Sequence, residues 1–177
     1  MAEQPVDLRG LIREIPDFPR PGLLFRDIPP LLLDPDGLEQ AISRLAECVG
    51  GKRVDYVVAA EARGFILGAA LACKLHAGFV PARKPGKLPA DTVSAEYALE
   101  YGLDALEVHA DALADGARVL VHDDLLATGG TANALCELVT SLGGRIVGCS
   151  FLIELEALGG RARLQEHPVT SLIRFPE

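Results

Sequence analysis

No stretch of this 177-residue sequence is apolar for long enough to cross a bilayer. The longest candidates, Phe65 to Ala72 and Val147 to Ile153, fall well short of the roughly 20 residues that a spanning helix needs. The first ten residues, MAEQPVDLRG, are acidic and polar where a secretory signal would carry an apolar core, so cytoplasmic residence is expected. Cys48, Cys73, Cys136 and Cys149 show no C-x-x-C spacing, and each falls in an apolar-periodic segment. That pattern predicts buried free thiols, not disulfides or zinc ligands. His76, His109, His122 and His167 also lack ligand spacing. Positive charge is scarce: 17 Lys and Arg against 25 Asp and Glu give a net charge of −8, which argues against a nucleic-acid surface. Internal repeats and low-complexity segments are absent. So are G-x-G-x-x-G and G-x-x-x-x-G-K-S/T, the common nucleotide-binding motifs.

What is present is a chain 49% apolar, enough for one good core, and residues 1–177 read as a single domain. Its centre runs from Arg118 to Leu142, RVLVHDDLLATGGTANALCELVTSL. Val119, Leu120 and Val121 have the composition of a buried parallel strand. Asp123 and Asp124 fall where that strand should end. Ala127, Thr128, Gly129, Gly130 and Thr131 form a turn with little side-chain bulk, and Leu135, Leu138, Val139 and Leu142 continue at helical spacing. The first N–H groups of a helix lack internal partners, and its dipole leaves that end partly positive, so an anion fits there. Glycines let the backbone approach a phosphate, and the hydroxyls of Thr128 and Thr131 can donate to its oxygens. Like charge keeps the two aspartates off that phosphate. They can accept hydrogen bonds from sugar hydroxyls or face a metal ion on the same ligand. A ribose beside a phosphate is the ligand this stretch suggests.

The flanking segments alternate. Leu8, Leu11, Ile12 and Ile15 predict a short first helix within Pro5 to Glu14. IPDFPRPG, from Ile15, is too proline-rich for regular structure, and Leu23, Leu24 and Phe25 read as a short buried segment. Phe25 is either a core ring or a stacking surface for a planar ligand. Asp34-Pro35 opens a helix that Gly50-Gly51 stops. Val54 to Ala60 reads as a strand leading through Glu61, Ala62, Arg63 and Gly64 into a helix over Phe65 to Leu75. Arg63 then stands at the carboxyl end of a strand, either facing a ligand or paired with Glu61. After a third strand over Gly78 to Ala82, Arg83, Lys84 and Lys87 form either a pyrophosphate clamp or a solvated turn. Thr92 to His109 reads as a hairpin closing over a site, with Glu100 beside Gly102. Glu100 is either an exposed hairpin carboxylate or a desolvated one able to exchange a proton with a ring nitrogen. Arg145 to Ile153 and Thr170 to Phe175 add sheet segments, with a short helix over Ala157 to Leu164. The fold expected is α/β, a mainly parallel sheet flanked by helices, with ligands at the carboxyl ends of its strands.

VLVHDDLLATGGTA, from Val119 to Ala132, resembles the phosphoribosyl-pyrophosphate signature of the type I phosphoribosyltransferase family. PGLLFRDIPPLL from Pro21, EARGFILG from Glu61, FVPARKPGKLP from Phe79 and YALEYG from Tyr97 extend the resemblance, nearly end to end, to the adenine-specific members. It implies the family's fold, with a projecting flap hairpin and an N-terminal hood over roughly residues 1–33. It also implies purine salvage, the transfer of the 5-phosphoribosyl group to N9 of adenine, giving AMP and pyrophosphate with Mg2+ required. By the same resemblance Ala127 to Thr131 hold the 5′-phosphate and Asp123 with Asp124 the ribose hydroxyls. Arg63, Arg83, Lys84 and Lys87 handle pyrophosphate, some from the partner subunit of a homodimer. Leu24, Phe25 and Arg26 match the adenine pocket, Glu100 matches the flap acid/base, and Tyr101 accompanies it. No protein metal ligand is implied, Mg2+ being held mainly through substrate, and no nucleic-acid or membrane partner. Two rivals remain: a nucleic-acid-binding sensor of the same donor, for which the sequence offers no basic segment, and an enzyme for another base. His122 departs from the aliphatic residue common before the acidic pair, and Glu61-Ala62 stands where the family varies.

Overall fold

The computed structural model describes residues 6–98 and 102–176. In chain order the elements are β1 (Arg13–Pro16), β2 (Leu24–Asp27), α1 (Pro29–Leu33), α2 (Pro35–Glu47), β3 (Tyr56–Ala60), α3 (Arg63–Lys74) and β4 (Gly78–Ala82). They continue with β5 (Thr92–Ala98), β6 (Leu103–His109), β7 (Arg118–Leu126), α4 (Gly130–Ser141), β8 (Arg145–Leu155) and β9 (Val169–Phe175). Two 3-10 turns, Glu156–Leu158 and Gly160–Leu164, lie between the last two strands. No described helix is long and apolar enough to cross a membrane.

Five strands form a wholly parallel sheet in the order β4-β3-β7-β8-β9, while β1-β2 and β5-β6 are separate antiparallel pairs. The period-2 alternation of strand side chains explains why the sheet is covered twice. Val58 of β3 and Val119 and Val121 of β7 join Leu135, Leu138, Val139 of α4 and Leu106 and Val108 of β6 in one core. Val57 and Leu120, one residue out of phase, join Leu31, Leu45, Leu67 and Leu71 in the other. Each such leucine contributes on the order of 2 kcal/mol by leaving water. The connection through α3 runs from β3 to β4, and that through α4 from β7 to β8, in opposite directions from the β3-β7 seam. A crevice opens outside the carboxyl ends of strands at such a reversal, where α/β proteins hold ligands.

Most sequence expectations are met. The Asp34 carboxylate caps α2 by accepting from Gly37 N at 2.7 Å, the third strand spans Gly78–Ala82, and β5-β6 is the expected hairpin. Five readings need correction. Ile15 and Pro16, the start of the proline-rich run, are in β1 and pair with Phe25 and Leu24. The first helix is a turn leading into β1, because Asp7 Oδ1 takes the Arg9 N–H at 3.1 Å and competes with helical bonding. Leu8 and Ile12 are nonetheless buried, so the apolar spacing reported burial and not helix. Leu23 and Leu24 are 45% and 44% exposed, since β2 pairs only with β1 and sits outside the sheet. Strand β7 does not stop at the aspartates; Leu125 and Leu126 keep pairing with Ile153 and Glu154. Cys48 and Cys73 are exposed, one capping the end of α2 and the other on the outer side of α3, whereas Cys136 and Cys149 are buried with their sulfurs 3.7 Å apart.

Candidate active site

The end of β3 and the start of α3 place Glu61, Ala62 and Arg63 on one side of the crevice, with the Glu61–Ala62 peptide cis. Strand β7 delivers Asp123 and Asp124 to the other. Arg63 Nε approaches Asp124 Oδ2 to 2.9 Å, an ion pair in which that buried oxygen receives no directed hydrogen bond. The Arg63 guanidinium also lies 5.0 Å from the centre of the Phe25 ring, so one cation links hood, helix and acidic pair. Asp123 Oδ1 takes the Asp124 N–H at 2.9 Å. It packs so closely on Gly64 that a Cβ there would stand 2.6 Å away, which accounts for glycine at that position. Burial raises the pKa of both carboxyl groups. The Asp124 charge adds to the rise at Asp123, and Arg63 opposes it at Asp124.

A cleft of about 270 Å³ opens over these groups, lined among others by Glu61, Arg63, Tyr97, Asp123, Asp124, Ala127 and Thr131. The 127–131 loop runs into α4 with Gly129 at φ 82°, a left-handed conformation that suits glycine. Among the described residues no side chain caps α4, and no acidic residue occupies its first turn, so its N–H groups are suited to an anion. The loop is held from behind: a Cβ on Gly129 would meet Gly160 O at 2.6 Å, and one on Gly160 would meet Ala127 O at 2.2 Å.

The basic segment is tied down by carboxylates. Glu61 accepts from the Lys84 N–H at 2.5 Å and pairs with Arg83 Nη2 at 3.3 Å, in place of the Glu61–Arg63 pair that adjacency suggested. The Lys84 N–H and the Arg83 contact hold the Glu61 carboxyl below its usual range. Lys84 Nζ bonds the Asp104 carboxylate and, at 3.0 Å, the Tyr97 hydroxyl, both on the hairpin. Burial works against its charge, yet these two partners raise the Lys84 pKa. Lys87 is exposed, its carbonyl 3.5 Å from Arg83 Nη1. In the hood, Phe25 meets Phe18 edge-on at 5.1 Å, Leu24 is exposed, and the buried Arg26 pairs with Glu14 and lies 3.8 Å from the Phe175 ring centre. Glu100 and Tyr101 lie outside the described residues. His122 is fully buried, its Nδ1 3.0 Å from Ser150 Oγ, and burial lowers its pKa to about 4 against a smaller effect of Ser150.

The cleft thus joins Arg63, the acidic pair and the glycine loop directly, and Arg83 and Lys84 through Glu61 and Tyr97. Leu24, Phe25, Arg26 and Lys87 do not line it, Phe25 approaching only through its contact with Arg63. Sequence reading passed over Tyr97, Asp104 and Gly160. Tyr97 was visible only as a β-prone residue and Gly160 as half of a glycine pair; nothing local marked Asp104.

Residues 29–174 match the phosphoribosyl transferase domain, and the chain belongs to that family. Relatives within the family include adenine phosphoribosyltransferases. That of Prochlorococcus marinus is 57% identical over 171 residues, covering 96% of this chain and 99% of the relative. The crystal structure of the Thermoanaerobacter pseudethanolicus enzyme superposes with a TM-score of 0.93 at 52% identity, covering 96% and 98% of the two chains. The Saccharomyces cerevisiae enzyme, solved with an imino-altritol bisphosphate and adenine, gives 0.88 at 38% identity, covering 93% and 96%. The chain takes its place among the adenine phosphoribosyltransferases.

Proposed function

We propose that this chain transfers the 5-phosphoribosyl group from 5-phosphoribosyl-1-pyrophosphate to N9 of adenine, giving AMP and pyrophosphate in purine salvage. The observation that carries this reading is the acidic pair beside an uncapped glycine loop at the β3-β7 seam, in a chain 57% identical to an adenine phosphoribosyltransferase. Ala127, Thr128, Gly129, Gly130 and Thr131 take the 5′-phosphate through backbone N–H groups and hydroxyls. Asp123 and Asp124, both lining the cleft, accept from the ribose hydroxyls. Arg63, Arg83, Lys84 and Lys87 stabilise the negative charge growing on the leaving pyrophosphate, where an oxocarbenium-like ribose needs no protein nucleophile.

Leu24, Phe25 and Arg26 flank the adenine, Phe25 by stacking and Arg26 through its backbone, since its side chain lies on Phe175. Glu100, with Tyr101 beside it, comes down on the hairpin and exchanges a proton at the purine. Closure of that hairpin excludes water from the reacting ribose. Among the described residues no cluster of three or more His, Cys, Asp or Glu could hold a metal ion. The carboxylate pair lining the cleft would nonetheless suit Mg2+ carried by the substrate, Asp123 and Asp124 being the residues that would help to hold it. There the ion would neutralise pyrophosphate oxygens. Lys87, exposed and outside its own cleft, is assigned in this reading to the pyrophosphate site of a second subunit, and a cytoplasmic homodimer without nucleic-acid or membrane partners is the form proposed.

Pyrophosphate release with Mg2+ and the phosphoribosyl donor tests the reading, comparing adenine with hypoxanthine, guanine, xanthine and orotate. Release with adenine alone is expected. Release with a different base would overturn the base pocket and keep the chemistry. Donor binding without release for any base would put a sensor in place of the enzyme.

A further inference from the structure

The 3-10 turn Gly160–Leu164 is built against the phosphate loop. Gly160 touches it backbone to backbone: a Cβ on Gly160 would come within 2.2 Å of Ala127 O and 2.9 Å of Gly129 N. On either side of Arg163 the turn is anchored. Leu164 is 1% exposed in the core, and Arg161 makes a two-pronged bond to Glu154 at 2.9 and 2.5 Å with a third to Val169 O at 2.8 Å. The backbone that carries Arg163 therefore has little freedom, while its side chain is exposed. Nη1 of Arg163 lies 3.9 Å from where a Cβ of Gly130, the first residue of α4, would be. Among the described residues Arg163 has no hydrogen bond or ion pair, in contrast to Arg161 two residues before it.

Charge gives this position its meaning. A phosphate in the 127–131 loop carries close to two negative charges and would sit near two carboxylates for which, among the described residues, Arg63 is the one ion-paired cation, committed to Asp124. The loop itself offers N–H groups, hydroxyls and the helix dipole, with no full positive charge. We infer that Arg163 is a substrate-binding residue that closes on the 5′-phosphate and supplies the missing cation by a charge-assisted hydrogen bond. The inference rests on the phosphate-loop assignment proposed above. Because Arg163 is exposed, its contribution is screened by salt.

The test is titration of the purified full chain with AMP, and separately with magnesium pyrophosphate, for wild type, Arg163→Met and Arg163→Lys. Arg163→Met is expected to weaken AMP about tenfold at low ionic strength, less at high, with pyrophosphate unchanged and most of the loss recovered in Arg163→Lys. Equal thermal midpoints establish that the variants are folded. AMP affinity within twofold of wild type, or parallel loss of AMP and pyrophosphate, overturns the role of Arg163 alone. Wild type that binds neither AMP nor ribose 5-phosphate overturns the phosphate-loop assignment and with it the inference.

Discussion

The two sides of the cleft are held by different physics. On the β7-α4 side the loop is shaped by backbone pressed on backbone, Gly129 against Gly160, beside a close-packed core. On the β3-β6 side the cationic segment is held by exchangeable side-chain pairs: Glu61 with Arg83, Lys84 with Asp104 and Tyr97, Glu107 with the Gly86 N–H. A contact between main chains cannot be traded for a ligand, whereas a lysine can leave a carboxylate for a phosphate at little net cost. In this reading the phosphate side is rigid and waits for its ligand, and the pyrophosphate side reorganises when its ligand arrives and leaves.

Gly160→Ala strikes the rigid side and carries the largest expected effect. No rotamer relieves a Cβ facing a carbonyl at 2.2 Å, so the loop must move. We expect kcat/KM for the donor to fall by about 100-fold, roughly 2.7 kcal/mol, with a lowered thermal midpoint. Wild-type donor kinetics in that variant would show that the loop is not braced by this turn. On the other side, Lys84→Met should cost about tenfold in kcat/KM. Asp104→Asn should tighten pyrophosphate by a few-fold, because the anion no longer displaces a carboxylate. In the Lys84→Met background the Asp104 change should have no effect on pyrophosphate inhibition; strict additivity would mean that the two do not compete.

Asp123→Asn separates stability from function. The folded-state pKa of Asp123 is raised, so its ionisation costs the native state stability at neutral pH, and that cost vanishes as pH falls below the unfolded value of about 4. The variant should bind donor more weakly yet melt a few degrees higher than wild type at pH 8, the gap narrowing toward pH 4. A gap that does not change with pH would point to packing as its source. The smallest effect belongs to His122, whose folded pKa is depressed to about 4. Stability is lost as pH falls from the unfolded value of about 6.5 through the folded one, because the unfolded chain takes up the proton first. His122→Gln should flatten melting temperature against pH over that window, with activity at pH 7 within about twofold of wild type.

The same contrast explains what could be read beforehand. The β3-α3 and β7-α4 units are local: an apolar run, a small turn and a helical stripe lie side by side in the sequence, and the acidic pair and glycine loop were legible with them. The partners of Lys84 were not, because Asp104 is a polar residue in a hairpin strand and becomes informative only when β6 is folded back on the basic segment. Proximity in sequence left a Glu61–Arg63 pair as one of two alternatives for Arg63, but the start of α3 turns Arg63 toward β7 and leaves Glu61 to β4 and Arg83. The turn in place of a first helix follows from one aspartate side chain competing for the backbone, an outcome that apolar spacing does not register.

The Gly129–Gly160 contact also orders events during synthesis. Every residue of the phosphate loop has been made by Thr131, but the wall behind it comes roughly thirty residues later, about two to six seconds at ordinary translation rates. Until then the nascent chain has the loop's composition without its shape. On the phosphate-loop assignment proposed above, an emerging chain gains its grip on phosphate late, after β8 has joined the sheet and Gly160 has arrived to close the back of the loop.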